Sequence, residues 1–173
     1  MPAKKPTPAE ENHPQVLWAP WRMAYIGGSP KKDEGCIFCT KPQQDRDEEN
    51  LLLLRGERVF VLMNLYPYNN GHLMIAPYAH LPTIKELDAE TLTEMMTTAQ
   101  RCLAALDEAM HPHGYNMGIN QGTVAGAGIA DHVHYHVVPR WNGDINFMPV
   151  LADTKVMPDF LESTYRQIKA QLG

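Results

Sequence analysis

The chain has 173 residues, 44% of them hydrophobic and 20% charged, and its 20 acidic residues against 15 basic ones give a formal charge of −5. These values describe one globular domain able to bury a core, and they exclude a multidomain machine, global disorder and a basic surface for duplex DNA or anionic membrane. No stretch reaches the roughly 18 apolar residues of a membrane span and the first residues lack the apolar core of a secretory signal, so a cytoplasmic protein is expected, with neither nucleic acid nor membrane among its partners.

Residues 1–15 mix Pro, Lys, Glu and Ala without periodicity and read as a flexible N-terminal tail, leaving 16–173 as a single domain. The aromatic run from Leu17 to Ile26 is too apolar to stay exposed and is expected to pack on the body or on a partner subunit. Cys36-Ile37-Phe38-Cys39 follows. With only three cysteines a disulfide framework is excluded, and the pair has the spacing of half a tetrahedral zinc site. Lys41 to Asn50 reads as a solvated connection. Leu51 to Leu54 and Val59 to Met63, joined by Arg55-Gly56-Glu57, read as a hairpin. Pro67, Asn69, Asn70 and Gly71 break the chain before Leu73-Met74-Ile75, a third strand closed by Pro77.

Leu92, Met95, Met96, Ala99, Leu103, Leu106 and Met110 recur at three- and four-residue spacing, which predicts a long amphipathic helix from an Asp88 N-cap to a stop at His111-Pro112-His113-Gly114. Cys102, on its apolar side, reads as a buried small residue. Tyr115 to Asn120 and Asp131 to Val138 read as strands flanking the small-residue loop Gly122 to Gly128. A closing helix is expected from about Pro158, with Phe160, Leu161, Tyr165, Ile168 and Leu172 on one face.

The most informative segment is His132-Val133-His134-Tyr135-His136-Val137-Val138. With 8 histidines in the chain, three at alternate positions arise by chance in about 0.02 chains of this composition. Strand side chains alternate faces, so the three imidazoles point one way while Val133, Tyr135 and Val137 point into a core. Such a row suits either divalent-metal coordination or phosphoryl chemistry, in which one imidazole is the nucleophile and its neighbours handle protons and phosphate oxygens. Composition does not choose between the two.

This run, followed by Pro139-Arg140-Trp141, resembles the signature of the histidine-triad nucleotide-binding family. The resemblance continues upstream through Asn64 and Gly71-His72-Leu73-Met74-Ile75-Ala76-Pro77, and through Asn120-Gln121-Gly122. Within the family, Leu17 to Ile26, Cys36 to Cys39, Val124 to Gly128 and Gly143 to Phe147 look most like the bacterial diadenosine tetraphosphate phosphorylase branch. It implies an α+β fold: an antiparallel sheet of about five strands with one long helix and a C-terminal helix, pairing as a homodimer or higher homo-oligomer.

The same resemblance implies the site. His134 would attack the α-phosphorus of a nucleotide to form a nucleotidyl-histidine, His136 would contact phosphate oxygens and assist the leaving oxygen, and His72 would hold the triad's hydrogen-bond network. Asn64 is similar to the family's ribose ligand, Leu62 and Leu65 would wall the purine, and Asn120 and Gln121 would meet phosphate. Many relatives carry a hydroxyl just before the triad. Here the stretch is Gly126-Ala127-Gly128-Ile129-Ala130-Asp131, so the α-phosphate would lean on imidazoles and on backbone N–H groups, Gly128 among them.

In zinc-containing members two histidines complete the cysteine pair. The implied ligand set is Cys36, Cys39, His80 and His132, a closed structural zinc site with no open position for substrate; no organic cofactor is expected. The expected activity is nucleotidyl transfer on an adenine dinucleoside polyphosphate, most concretely phosphorolysis of diadenosine tetraphosphate to ADP and ATP. Hydrolysis of dinucleoside polyphosphates or adenosine phosphoramidates is the alternative within the same chemistry. A nucleotide-binding regulatory module with little turnover, and a catalytic metal hydrolase using the triad as ligands, are the rivals from other classes.

Overall fold

The computed structural model describes residues 35–145, 157 and 159–173. The expected tail 1–15, the aromatic run Leu17 to Ile26 and the end of the Gly143 to Phe147 stretch lie outside the described residues. The cysteine knuckle forms a single turn, α1 (Ile37–Thr40), before β1 (Leu52–Arg55) and β2 (Val59–Met63) build the expected hairpin. Then come β3 (Leu73–Pro77), α2 (Ala89–Met110), β4 (Gly114–Ile119), β5 (Tyr135–Arg140) and α3 (Leu161–Leu172). The strands make one antiparallel sheet in the order β1-β2-β3-β5-β4.

Every residue of β2 and β3 is buried, which means that both faces of the sheet centre are covered. On one face Val59, Val61, Met63, Leu73, Ile75 and Val137 meet α2 through Met95, Ala99, Cys102 and Leu106, and α3 through Tyr165, Ile168 and Leu172. Alternate residues Phe60, Leu62, Met74 and Ala76 form a second, smaller cluster on the opposite face, closed by Phe38 of α1. Helix α2 starts where its cap predicts: the Asp88 carboxylate accepts from Thr91 N–H at 2.7 Å. It ends at His111, in the left-handed region at φ 48°. Burial pushes the Cys102 thiol up to about 12, so it is an inert core residue.

Two boundaries differ from the sequence reading by more than two residues. The closing helix begins at Leu161 rather than near Pro158, and Phe160 is its N-cap, 81% exposed instead of on the apolar face. The three-to-four spacing simply continues past a residue whose backbone is extended at ψ 150°. The fifth strand starts at Tyr135, not Asp131, for a reason that shapes the site.

Candidate active site and metal centre

Ladder pairing stops at the same place on both sides of β5: Ile75 of β3 and Ile119 of β4 each pair with Tyr135. Residues 132–134 therefore run on beyond the ladder, and their polar groups find other partners. Val133 N–H donates to the Leu81 carbonyl at 2.7 Å, and the His132 carbonyl accepts from His134 Nδ1 at 2.8 Å. Alternation of faces survives. Val133 and Val137 enter the core under the helices, whereas His132, His134 and His136, only 0%, 5% and 7% exposed, share the opposite face.

A carbonyl only accepts, so His134 Nδ1 carries the proton and its lone pair sits on Nε2. Burial pulls the pKa of His134 below the ordinary histidine value, against the pull of that backbone bond. The ring is thus neutral near pH 7 with a lone pair aimed away from its own chain, which is what a nucleophilic imidazole needs. Phe38 lies against it at 4.7 Å between ring centroids, and the His136 ring meets it edge-on at 4.8 Å and 72°.

His72, fully buried, lies behind His136. Its Nδ1 accepts from the Tyr68 backbone N–H at 3.0 Å, with the Asn64 amide 3.3 Å away. Its proton therefore sits on Nε2 and is donated to His136 Nδ1 at 2.9 Å. It follows that His136 bears its proton on Nε2. The pair hands a fixed tautomer from the β2–β3 loop to β5, so that His134 presents a lone pair and His136 an N–H on one surface. Asn120 Nδ2 lies 3.5 Å from His136 Nε2, too long to compete with a substrate oxygen, and donates to the Tyr68 hydroxyl at 3.4 Å.

Asn64 also accepts from Tyr66 N–H at 2.9 Å, an Asx turn that leaves the amide one further N–H and lone pair to offer a diol. Leu62 is completely buried among Phe38, Phe60 and Met74, while Leu65 is 52% exposed. Gln121 is turned away from the triad: its Oε1 accepts from Thr83 Oγ1 at 3.1 Å and from Ile84 N–H at 2.9 Å, tying two loops together. Gly128 lies exposed in a bend of the small-residue loop. His111 and His113 are exposed, as residues outside the site should be.

Sequence reasoning missed several contributors. Phe38 is hidden between the two cysteines, and Tyr68 falls unnamed inside the Pro67 to Gly71 chain break. Asp144 is another: its carboxylate is gripped by Arg140 Nε at 2.6 Å and accepts from Asn69 Nδ2 at 2.9 Å, tying the end of β5 to the loop that carries His72. The Arg140 guanidinium is the main cause that holds its pKa down to about 2. An aromatic in a turn and an Asp four residues after an Arg carry no spacing signal that would single them out.

Cys36, Cys39, His80 and His132 converge on one point, with ligand atoms all within 4.8 Å of one another. His132 Nδ1 is 3.4 Å from Cys36 Sγ, 3.6 Å from Cys39 Sγ and 3.2 Å from His80 Nδ1, which is itself 3.2 Å from Cys39 Sγ. Zinc bonds of about 2.3 Å to sulfur and 2.0 Å to nitrogen at tetrahedral angles would separate the ligands by roughly 3.3–3.8 Å. The residues fit the ion. His132 Nε2 donates to the Pro77 carbonyl at 2.8 Å, which leaves Nδ1 unprotonated for ligation.

Residues 46–143 match the HIT domain family. The chain is 39% identical over 163 residues to the AP-4-A phosphorylase of Mycobacterium tuberculosis, covering 91% of this chain and 84% of that one. It is 34% identical over 84 residues to the bis(5'-adenosyl)-triphosphatase of Dictyostelium discoideum, covering 49% and 56% of the two chains. A zinc-bound histidine triad family protein from Mycobacterium smegmatis superposes with a TM-score of 0.63 at 27% identity, over 80% of this chain and 93% of that one. With the five-stranded antiparallel sheet and the row of histidines beside it, these likenesses establish that the chain belongs to the HIT domain family.

Proposed function

We propose that this protein is a nucleotidyltransferase acting on dinucleoside polyphosphates, and that it splits diadenosine tetraphosphate with inorganic phosphate into ATP and ADP. The observation that carries this reading is the pairing of a neutral, buried His134 with its lone pair on Nε2 and a neighbouring His136 with its proton on Nε2. The likeness to an AP-4-A phosphorylase over most of both chains supports the choice of substrate.

In the first step His134 Nε2 forms a bond to the α-phosphorus and the bond to the bridging oxygen breaks. The electron pair leaves on ATP, whose new terminal oxygen accepts a hydrogen bond from His136 Nε2–H. In the second step a phosphate oxygen attacks the phosphorus, the N–P bond breaks, its pair returns to His134 Nε2, and ADP is released. One difficult displacement becomes two easier ones. Asn64 would orient the ribose and Asn120 the phosphate chain. The Cys36, Cys39, His80 and His132 cluster would hold a structural zinc ion, whose role is to fasten α1 to the start of the triad.

Incubation with diadenosine tetraphosphate, with and without phosphate, followed by anion-exchange separation tests the reading. Phosphate-dependent ADP plus ATP is the expected outcome. AMP plus ATP irrespective of phosphate would replace it with a hydrolase, and no consumption at all would overturn it.

A further inference from the structure

The loop that delivers His72 also carries an aromatic residue touching both members of the His72–His136 pair. The half-buried Tyr68 ring lies 4.5 Å from the His72 ring and 5.6 Å from His136, where the planes are stacked within 29°. Its backbone N–H donates to His72 Nδ1 at 3.0 Å, and its hydroxyl accepts from Asn120 Nδ2 at 3.4 Å. One residue therefore makes three kinds of contact around the same pair: a tautomer-setting bond, a ring face, and a bridge to the amide beside His136.

These contacts have a directional consequence. The Tyr68 N–H occupies the lone pair on His72 Nδ1, so the His72 proton is committed to Nε2 and His136 is committed to presenting N–H outward. The ring face limits rotation of both imidazoles, because a turn of either about its Cβ–Cγ bond would drive it into the phenol. Through Asn120 the hydroxyl anchors the far side of the same surface.

We propose that Tyr68 is a positioning residue for His136, holding its Nε2–H on the leaving oxygen of the nucleotidyl transfer step. The proposal rests on the nucleotidyl-transfer reading above. It predicts that Tyr68 matters in proportion to how much help the departing oxygen needs. As the bond from phosphorus to that oxygen breaks, the electron pair passes to it; a strongly basic oxygen draws heavily on the His136 hydrogen bond and a weakly basic one hardly at all.

The test uses two adenosine 5'-aryl phosphates of nearly equal shape, the 4-nitrophenyl and the 4-methylphenyl ester, with the full-length wild type, Tyr68→Leu and Tyr68→Phe. Tyr68→Leu should lower kcat on the methylphenyl ester by about 10²-fold, the scale of lost proton-handling assistance, and on the nitrophenyl ester by less than about tenfold, with KM little changed on either. Tyr68→Phe, which keeps the ring and lacks only the hydroxyl, should recover most of the loss; both variants keep the backbone N–H to His72. Equal losses on both esters, or none on either, would overturn the positioning role while leaving nucleotidyl transfer intact. A wild type that turns over neither ester would overturn the transfer reading and this proposal with it.

Discussion

His134 can present a lone pair because its other ring nitrogen is held by the chain that bears it, through the 2.8 Å bond to the carbonyl two residues back. That bond exists because residues 132–134 lie beyond the end of the sheet ladder, where a carbonyl would otherwise lack a partner. The expected consequence is specific to this side chain. His134→Ala should lower turnover of diadenosine tetraphosphate by on the order of 10³-fold or more, since no neighbour can form the N–P bond from the same place. Affinity for AMP should stay within a few-fold of wild type, because ribose and phosphate contacts belong to other residues. Steady-state rates and a calorimetric AMP titration check this together. Residual turnover within tenfold of wild type would assign the attack to another group, and a wild type that binds AMP without turnover would identify a binding module.

At the scale of elements, the position of His72 depends on how the β2–β3 loop fits beneath α2. Gly71 has φ +72°, and a Cβ built there would lie 2.7 Å from Met110 Sδ, 3.2 Å from Pro139 Cγ and 3.3 Å from Leu106 Cδ2. Gly71→Ala therefore combines left-handed strain of about 1–2 kcal/mol with overpacking of about 1–3 kcal/mol at the residue next to His72. Urea unfolding should show that loss, and kcat measured where the variant remains folded should fall further than stability explains. Unchanged values on both would mean that the loop is not braced by the helix. Much of this architecture was legible in the sequence, because its cause is local: alternation marks the strands, three-to-four spacing marks α2, and the Asp88 carboxylate marks where that helix begins. The row of histidines was legible for the same reason. The start of β5 was not, since it is set by where its pairing with two other strands stops. Nor was the company of Tyr68, which arises only when the loop closes on β5, nor the engagement of Gln121 with Thr83 and Ile84 of another loop.

The described residues form two unequal apolar clusters divided by the sheet. Under α2 and α3 lies a large apolar core that includes Leu53, Val61, Ile75, Leu106 and Ile168. Among the described residues the histidine-bearing face has a small cluster whose cover, Phe38, sits between two cysteines and touches both His132 and His134, at 5.1 and 4.7 Å between ring centroids. A turn of four residues is not stable on its own; in the reading proposed above, the ligand cluster fastens it. Purified protein should contain near one zinc per chain, and Cys39→Ser or chelation should remove it. Hydrogen exchange should then accelerate at residues 36–40 and 132–134 while the amides of β2, β3 and α2 keep their protection, because the larger core does not depend on the knuckle. Turnover should fall in parallel as the Phe38 brace against His134 loosens. Metal-free protein with unaltered exchange and full activity would show that packing alone holds α1, and the two clusters would then share a single source of stability.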